Sequence, residues 1–221
     1  MRYGWARMKP LRTIDAVETS EGTLALKQRG ERDFLITIAG RVLMTSTAHR
    51  SEMVLAVVAC RRCAAEPAPR VLIGGLGMAF TLRAALDTLP PGARVTVAEL
   101  NPVTQTWCRG PLAALTERAV EDPRVTVEII DVNQVITRAA TGPPEGRFDA
   151  IVLDLYVGPD ASTKECRRAA RALNPGGIMS VWGEAYEPAY AERLAAAGFN
   201  VRYERPGKGG LRHVVYIAQR R

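Results

Sequence analysis

The sequence has no long apolar run. No stretch of it approaches the roughly 20 apolar residues that a membrane-spanning helix needs. Its first ten residues, MRYGWARMKP, are basic but contain no apolar segment of the kind found in secretory signal peptides. From these two absences we expect a soluble protein with a cytoplasmic location and no membrane partner.

Cysteine and histidine are also scarce. The chain of 221 residues has four cysteines and two histidines. The single C-x-x-C pair, Cys60 and Cys63, has no second pair and no histidine at zinc-ligand spacing. We therefore predict reduced, partly buried thiols and no metal site.

The basic residues do not form a block. The net charge is +7 with 30 Lys and Arg residues, but they are scattered, few are Lys, and no cluster alternates with aromatic side chains. This distribution favours a small-molecule or peptide substrate over nucleic acid. Association of the protein into a homodimer is left open as an alternative.

The chain is organised around residues 71–99. An apolar run, Val71 to Ile73, stops at Gly74-Gly75-Leu76-Gly77, and apolar residues then recur at helical spacing over 79–89. This pattern predicts a strand, a glycine turn and a helix. Gly75 and Gly77 would permit positive φ and the close approach of a ligand beside the N–H groups of the helix.

A second strand, residues 94–98, leads into Glu99, 22 residues after Gly77. A carboxylate at this distance holds the ribose hydroxyls of adenosine in Rossmann-type sites. NAD is one alternative, but Phe80 occupies the position of the third glycine in G-x-G-x-x-G. The looser G-x-G-x-[GA] turn favours S-adenosylmethionine as the cofactor.

Strands and helices continue to alternate after Glu99, which predicts an α/β fold. We expect a Rossmann-like, seven-stranded, mostly parallel sheet with helices on both faces, closed by an antiparallel hairpin. Glu99, Asp131 and Asp154 end three successive strands, so their side chains should meet at one edge of the sheet. Asp131 could instead simply cap the next helix. The candidate cofactor-binding residues are Gly75, Gly77, Glu99, Leu100, Asp131, Val132 and Asp154.

The N-terminal residues 1–65 form a separate predicted unit, and residues 66–221 form the cofactor-binding domain. Residues 1–13 show no periodicity and predict a loose arm. Short β-prone runs over 23–44 predict an antiparallel meander of about three strands, and a helix follows over 48–60.

Several segments together resemble a known family. VLIGGLGMAFTLRAAL, VAELNP, EDPRVTVEIIDV, FDAIVLDLYVGP and LNPGGIMSVW, preceded by GRVLMTSTAHRSEM, are similar to the spermidine synthase-like branch of class I S-adenosylmethionine-dependent methyltransferases. The resemblance covers roughly residues 20–219. It implies that Gly75 and Gly77 flank the methionine part of the cofactor, Glu99 binds its ribose and Asp131 its adenine.

The sequence also departs from that family. Aminopropyltransferases carry D-[ST]-x-D-P after the fourth strand, whereas this chain has Asp154-Leu155-Tyr156-Val157-Gly158-Pro159 and lacks the second carboxylate. In the glycine turn, Leu76 and Gly77 replace an Asp-containing run. We therefore expect a methyltransferase that prefers intact S-adenosylmethionine, with a pocket that repels polyamines. An aminopropyltransferase that uses Asp154 or Asp160, and a non-catalytic cofactor-binding protein, are the alternatives.

The candidate catalytic residues are Asp154, Tyr156 and His49. A catalytic base is needed only if the acceptor binds in its protonated form. Asp154 and Tyr156 lie at the end of the fourth strand. His49 lies at the start of the predicted arm helix, where a capping role is its alternative. Trp182 and Glu184 are weaker candidates for lining the acceptor pocket.

Overall fold

The computed structural model of the chain describes residues 9–155, 160–206 and 213–221. These residues form two compact units, Met1–His49 and Arg50–Arg221. Each unit has its own sheet.

The first unit is a four-stranded antiparallel sheet. Its strands are β1 (Leu11–Thr19), β2 (Gly22–Arg29), β3 (Asp33–Ile38) and β4 (Arg41–Thr45), in that spatial order. The predicted meander corresponds to β2, β3 and β4, but β1 was not predicted as a strand. The reason is that β1 is almost entirely exposed and pairs with β2 through its backbone, so its sequence carries no apolar alternation.

The second unit contains a seven-stranded sheet with the order β10-β11-β9-β8-β5-β6-β7. Its first five strands along the chain pair in parallel, and β10 and β11 add an antiparallel hairpin beside β9. This confirms the predicted fold class. The strands are β5 (Arg70–Gly74), β6 (Arg94–Glu99), β7 (Val125–Ile129), β8 (Phe148–Leu153), β9 (Leu173–Gly183), β10 (Phe199–Glu204) and β11 (Val214–Arg220).

Helices cover both faces of this sheet. On one face Leu72, Ile151 and Met179, which are neighbours across three strands, pack into a core with residues of α4, α5 and α6. On the other face the hydroxyl of Ser180 donates to the carbonyl of Leu55 in α1 (2.8 Å). The helices are α1 (Arg50–Cys63), α2 (Phe80–Thr88), α3 (Pro102–Arg109), α4 (Val132–Thr141), α5 (Thr163–Ala172) and α6 (Pro188–Ala196). No helix among the described residues is long and apolar enough to cross a bilayer.

Three element boundaries differ from the sequence-based ones. The helix α1 packs on α2, β8 and β9 and belongs to the second unit, whereas the predicted boundary followed residue 65. The sequence pattern predicts a helix over 102–116, but α3 ends at Arg109, because Gly110 is followed by Pro111, which has no N–H to donate. Residues 174–177, Asn-Pro-Gly-Gly, predict a turn that closes the preceding helix, but they lie within β9, which begins at Leu173. There the Asn174 amide donates to Asp149 (2.7 Å).

Candidate active site

The carboxyl ends of four parallel strands meet at one edge of the sheet. Gly74 at the end of β5 lies opposite Ala98 of β6 and Leu153 of β8, and Glu99 lies opposite Ile129 of β7. Glu99 ends β6, Asp154 directly follows β8, and Asp131 lies two residues after the end of β7. The topology therefore brings them to a single edge, which is where open α/β sheets bind ligands.

The glycine turn between β5 and α2 has a left-handed backbone at several positions. Gly75 has φ +88°, Gly77 has φ +51° and Ala79 has φ +65°. A Cβ atom on Gly75 would lie 2.4 Å from the carbonyl oxygen of Asp154, so no side chain fits there. The turn is held further by the thiol of Cys108, which donates to the carbonyl of Gly77 (3.3 Å).

The Glu99 side chain is buried and is fixed by two backbone groups. Its Oε2 accepts from the N–H of Leu76 in the glycine turn (2.9 Å), and its Oε1 accepts from the N–H of Asn101 (2.8 Å). A carboxylate has about four lone-pair positions, so both oxygens can still accept from a ligand. Glu99 thus couples the end of β6 to the turn and presents a rigid acceptor pair.

Leu100, the next residue, is 64% exposed. An exposed apolar side chain beside a fixed carboxylate suits a ligand that has both an aromatic ring and hydroxyl groups.

Asp131 and Val132 begin α4. The Asp131 side chain accepts from the N–H of Asn133 (2.8 Å), so the capping role considered from the sequence is present in the structure. Val132 is buried, and a Cβ on Gly74 would lie 2.9 Å from its Cγ2. Val132 therefore packs the start of α4 against β5, and its contact with a cofactor stays a prediction.

Asp154 is the most electrostatically perturbed carboxyl group at this edge. Burial is the main cause and the negative charge of Glu52 the second, and together they raise its pKa from 3.8 to about 7. The hydroxyl of Thr81 in α2 donates to Oδ2 (2.5 Å) and opposes the increase in the pKa. Near neutral pH this carboxyl group can both hold and release a proton.

A polar cluster adjoins Asp154. It consists of Ser51 and Glu52 in the first turn of α1, Trp182 in β9 and His213 before β11. Ser51 Oγ lies 2.7 Å from Glu52 Oε2, 3.1 Å from Nδ1 of His213 and 3.4 Å from Nε1 of Trp182. Thr81 contacts this cluster as well as Asp154, because its Oγ1 atom lies 3.5 Å from the backbone carbonyl oxygen of Glu52.

The other predicted catalytic and pocket-lining residues are not part of the contacts around Asp154 described above, except for Trp182. In the first unit, Nδ1 of His49 lies 3.0 Å from the carbonyl oxygen of Ser46. Tyr156 lies outside the described residues. Asp160 and Glu184 are exposed, and Trp182 is partly buried. The catalytic roles of His49 and Tyr156 stay predictions.

The sequence predicts that His49, Ser51 and Glu52 lie close to the ends of the parallel strands and roof the acceptor pocket, and this role stays a prediction. It does not identify His213. His213 and Ser51 are 162 residues apart in the chain, so no local pattern relates them. The only available signal was that His213 is one of two histidines and precedes the last strand.

The four cysteines are free and buried. Burial raises the pKa of the Cys63 thiol to about 11 and also raises that of Cys60. Within the described parts of the chain, no group of three or more His, Cys, Asp or Glu side chains could hold a metal ion.

The chain has a Rossmann-like α/β fold, with a seven-stranded, mostly parallel sheet and a separate small antiparallel sheet at the N-terminus. More particularly, two solved spermidine synthase structures share it. One is a spermidine synthase in complex with the transition state analogue AdoDATO, and the other is the spermidine synthase from Thermotoga maritima. Each aligns with a TM-score of 0.73 at 18% identity, over 94% of this chain and 72% of theirs.

These similarities establish the fold. No protein-family model matches the sequence, and a search of curated proteins finds no match.

Proposed function

We propose that this protein is a transferase that moves the aminopropyl group of decarboxylated S-adenosylmethionine to an amine. The observation that carries this proposal is the pair of neighbouring carboxyl groups, Asp154 and Glu52. Transfer to an amine requires that a cationic acceptor is held and that one of its amines loses a proton. The similarity in fold to spermidine synthases supports the same choice.

The residues at the sheet edge fit an adenosyl cofactor. Glu99 would accept hydrogen bonds from the ribose, Leu100 would pack on the adenine, and the glycine turn would allow the close approach of the remainder. When bound, the cofactor would supply an electrophilic carbon beside its positively charged sulfur.

Asp154 is the proposed proton acceptor. Its raised pKa of about 7 means that it exchanges a proton near neutral pH, which is the range in which a general base is most effective. Glu52 has two roles in this proposal. Its charge helps to raise the pKa of Asp154, and it attracts a positively charged acceptor. Thr81 holds the Asp154 carboxylate in a fixed orientation through its hydroxyl.

The test is a calorimetric titration with S-adenosylmethionine and with its decarboxylated form, followed by mass analysis of products after incubation with putrescine. We expect tighter binding of the decarboxylated form and a product that carries one added aminopropyl group. The Asp154→Asn variant should bind the cofactor and form at least about 100-fold less product, because general base catalysis typically contributes 10²–10⁴-fold. Cofactor binding with no product from a panel of amines would instead identify a non-catalytic binding protein.

A second candidate is methyl transfer to a small molecule or peptide. The observation that favours it is the absence from the sequence of the second Asp of D-[ST]-x-D-P, the carboxylate that would take the proton of the attacking amine in aminopropyl transfer. Tighter binding of intact S-adenosylmethionine, with a methylated product, would establish this candidate and overturn the first.

A further inference from the structure

The helix α5 carries a row of basic residues on one face. Positions i, i+3, i+4 and i+7 of this row are Lys164, Arg167, Arg168 and Arg171. At about 100° per residue the four side chains fall within an arc of about 100°, and the row is about 10 Å long. Cys166, Ala169 and Ala170 are buried on the opposite side of the helix. Most basic residues are scattered along the chain, but helical periodicity brings these four together.

The charges of this basic row are not neutralised by neighbouring side chains. Within residues 9–155, 160–206 and 213–221, none of the four side chains forms an ion pair or a hydrogen bond. Glu165 is the only acidic residue of α5, and it accepts from the N–H (2.7 Å) and the hydroxyl (2.6 Å) of Ser162. These bonds are the main cause that lowers the pKa of Glu165, and the charges of Arg168 and Lys164 contribute less. One carboxylate that is already bonded therefore faces four cations.

A surface groove between α4 and α5 adjoins the basic row. It has a volume of about 430 Å³, and its lining residues are Asn133, Gln134, Thr137, Arg138, Thr141 and Arg168. Arg138 is paired with Glu128 (2.8 Å). The exposed side-chain amides of Asn133 and Gln134 make no hydrogen bond in the described parts of the chain. The groove therefore offers amide donors beside the unpaired guanidinium of Arg168.

We propose that the basic row and this groove bind the phosphate backbone of a double-stranded nucleic acid. Phosphate oxygens accept hydrogen bonds from arginine, lysine and side-chain amides, which are the groups present here. A row about 10 Å long spans several phosphates, because a duplex carries one charge per about 1.7 Å of its axis. This proposal does not depend on the transfer reaction.

The composition of the surface favours a duplex over other anionic partners. Protein–protein interfaces have an apolar or aromatic centre, and a helix that lies on a membrane needs an exposed apolar face. The alanines and the cysteine of α5 are buried, and no apolar side chain of the described residues lines the groove. Single strands are bound by stacking of their bases on aromatic side chains, which the groove also lacks within the same residues. A duplex held by its backbone needs neither feature.

The first experiment measures how the affinity depends on salt. A fluorescently labelled DNA duplex of about 20 base pairs is titrated with the full chain at about 50 to 200 mM salt, and binding is followed by anisotropy. Four phosphate contacts predict a slope of log K against log salt of about −3 to −4. Duplexes of different sequence should bind equally, because backbone contacts carry no sequence information.

The second experiment removes charge from the row. Arg167→Gln combined with Arg171→Gln should reduce the slope to about −2 and raise the Kd at least about tenfold at about 0.1 M salt. The matched control combines Arg94→Gln with Arg109→Gln, which removes the same charge from exposed positions on β6 and α3 and should leave the slope unchanged. Urea denaturation should give the same midpoint for both variants and the natural protein, because all four positions are exposed.

A third variant tests the groove separately from the charge. Gln134→Ala removes an amide donor and keeps a residue that favours the helix. It should raise the Kd for the duplex about tenfold, the effect of one lost hydrogen bond to a charged group. The slope should stay the same, because a neutral amide displaces no counterion.

Three results would overturn the proposal. The first is a slope that does not change in Arg167→Gln with Arg171→Gln, and the second is an equal loss of affinity in the control. The third is binding to polyglutamate, or to vesicles that contain phosphatidylserine, that is at least as tight as binding to the duplex, because the surface would then select another class of anion.

Discussion

Replacing Asp154 by Asn should make the protein more stable at alkaline pH while removing the proposed base. The folded protein keeps the Asp154 proton up to about pH 7, whereas the unfolded chain loses it near pH 4. Between these values the folded state binds more protons, so the free energy of unfolding falls as the pH rises. The cost of ionising Asp154 is fully present above about pH 7 and absent below about pH 4.

The magnitude follows from the shift. A change of roughly three pKa units at about 1.4 kcal/mol each gives an upper bound of about 4 kcal/mol. Because the side chain is only partly buried, solvent screening reduces this bound, and we expect about 2 kcal/mol. An asparagine can still accept the hydrogen bond from Thr81 through its carbonyl oxygen, so the variant should lose little at low pH.

The assay is urea denaturation of both proteins at about pH 4 and about pH 8, followed by circular dichroism. Asp154→Asn should be more stable than the natural protein at the higher pH and nearly equal at the lower one. The control is Asp160→Asn, which removes an exposed carboxylate and should change little at either pH. If Asp154→Asn is equally or less stable at pH 8, Asp154 is not the strained carboxyl group that the proposed mechanism requires.

Three further substitutions test the turn, the ribose site and a helix cap. Glu99→Gln replaces one of two acceptor oxygens by an NH₂ group that faces a backbone N–H. The free energy of unfolding, measured by urea denaturation, should fall by about 1–3 kcal/mol, and cofactor binding should weaken. Unchanged cofactor affinity would remove Glu99 from the site. Gly75→Ala should destabilise the protein by more than about 3 kcal/mol, because the new Cβ would clash with the Asp154 carbonyl. The control is Gly176→Ala, which has a similar φ but open space around the Cβ and should cost about 1 kcal/mol. Equal costs in the two variants would refute the clash. Ser162→Ala removes the capping box of α5 and should cost about 1 kcal/mol, and no loss would mean that water replaces the cap.

The central sheet was predictable because its strands are short apolar runs punctuated by glycine, proline and acidic residues. Val71, Leu72 and Ile73 are each fully buried, and a strand that is buried on both faces needs no alternation to be recognised. The strand β1 was not predictable for the opposite reason. Its ladder with β2 depends on backbone hydrogen bonds, which every non-proline sequence offers.

The part of the candidate site at the ends of β6 and β7 was partly predictable from spacing. Glu99 and Asp131 follow strands whose ends the topology aligns, so a linear pattern was enough to place them together. The polar cluster was predictable only in part, because the sequence placed Ser51 and Glu52 near the strand ends but gave no reason to add His213, which precedes β11. Their meeting depends on how α1 packs on β8, β9 and β11, and no local sequence signal encodes that packing.

The net charge of +7 led to the expectation that the pocket would repel polyamines, and the arrangement of the carboxylates weakens that argument. Charges separated by more than about 8 Å of solvent are largely screened at physiological ionic strength, whereas a buried charge is screened much less. The basic side chains are scattered, but Glu52 is 7% exposed and lies beside Asp154. The field that an acceptor meets at this edge of the sheet is therefore set by two neighbouring carboxyl groups, and a positively charged chain can contain a site for a positively charged amine.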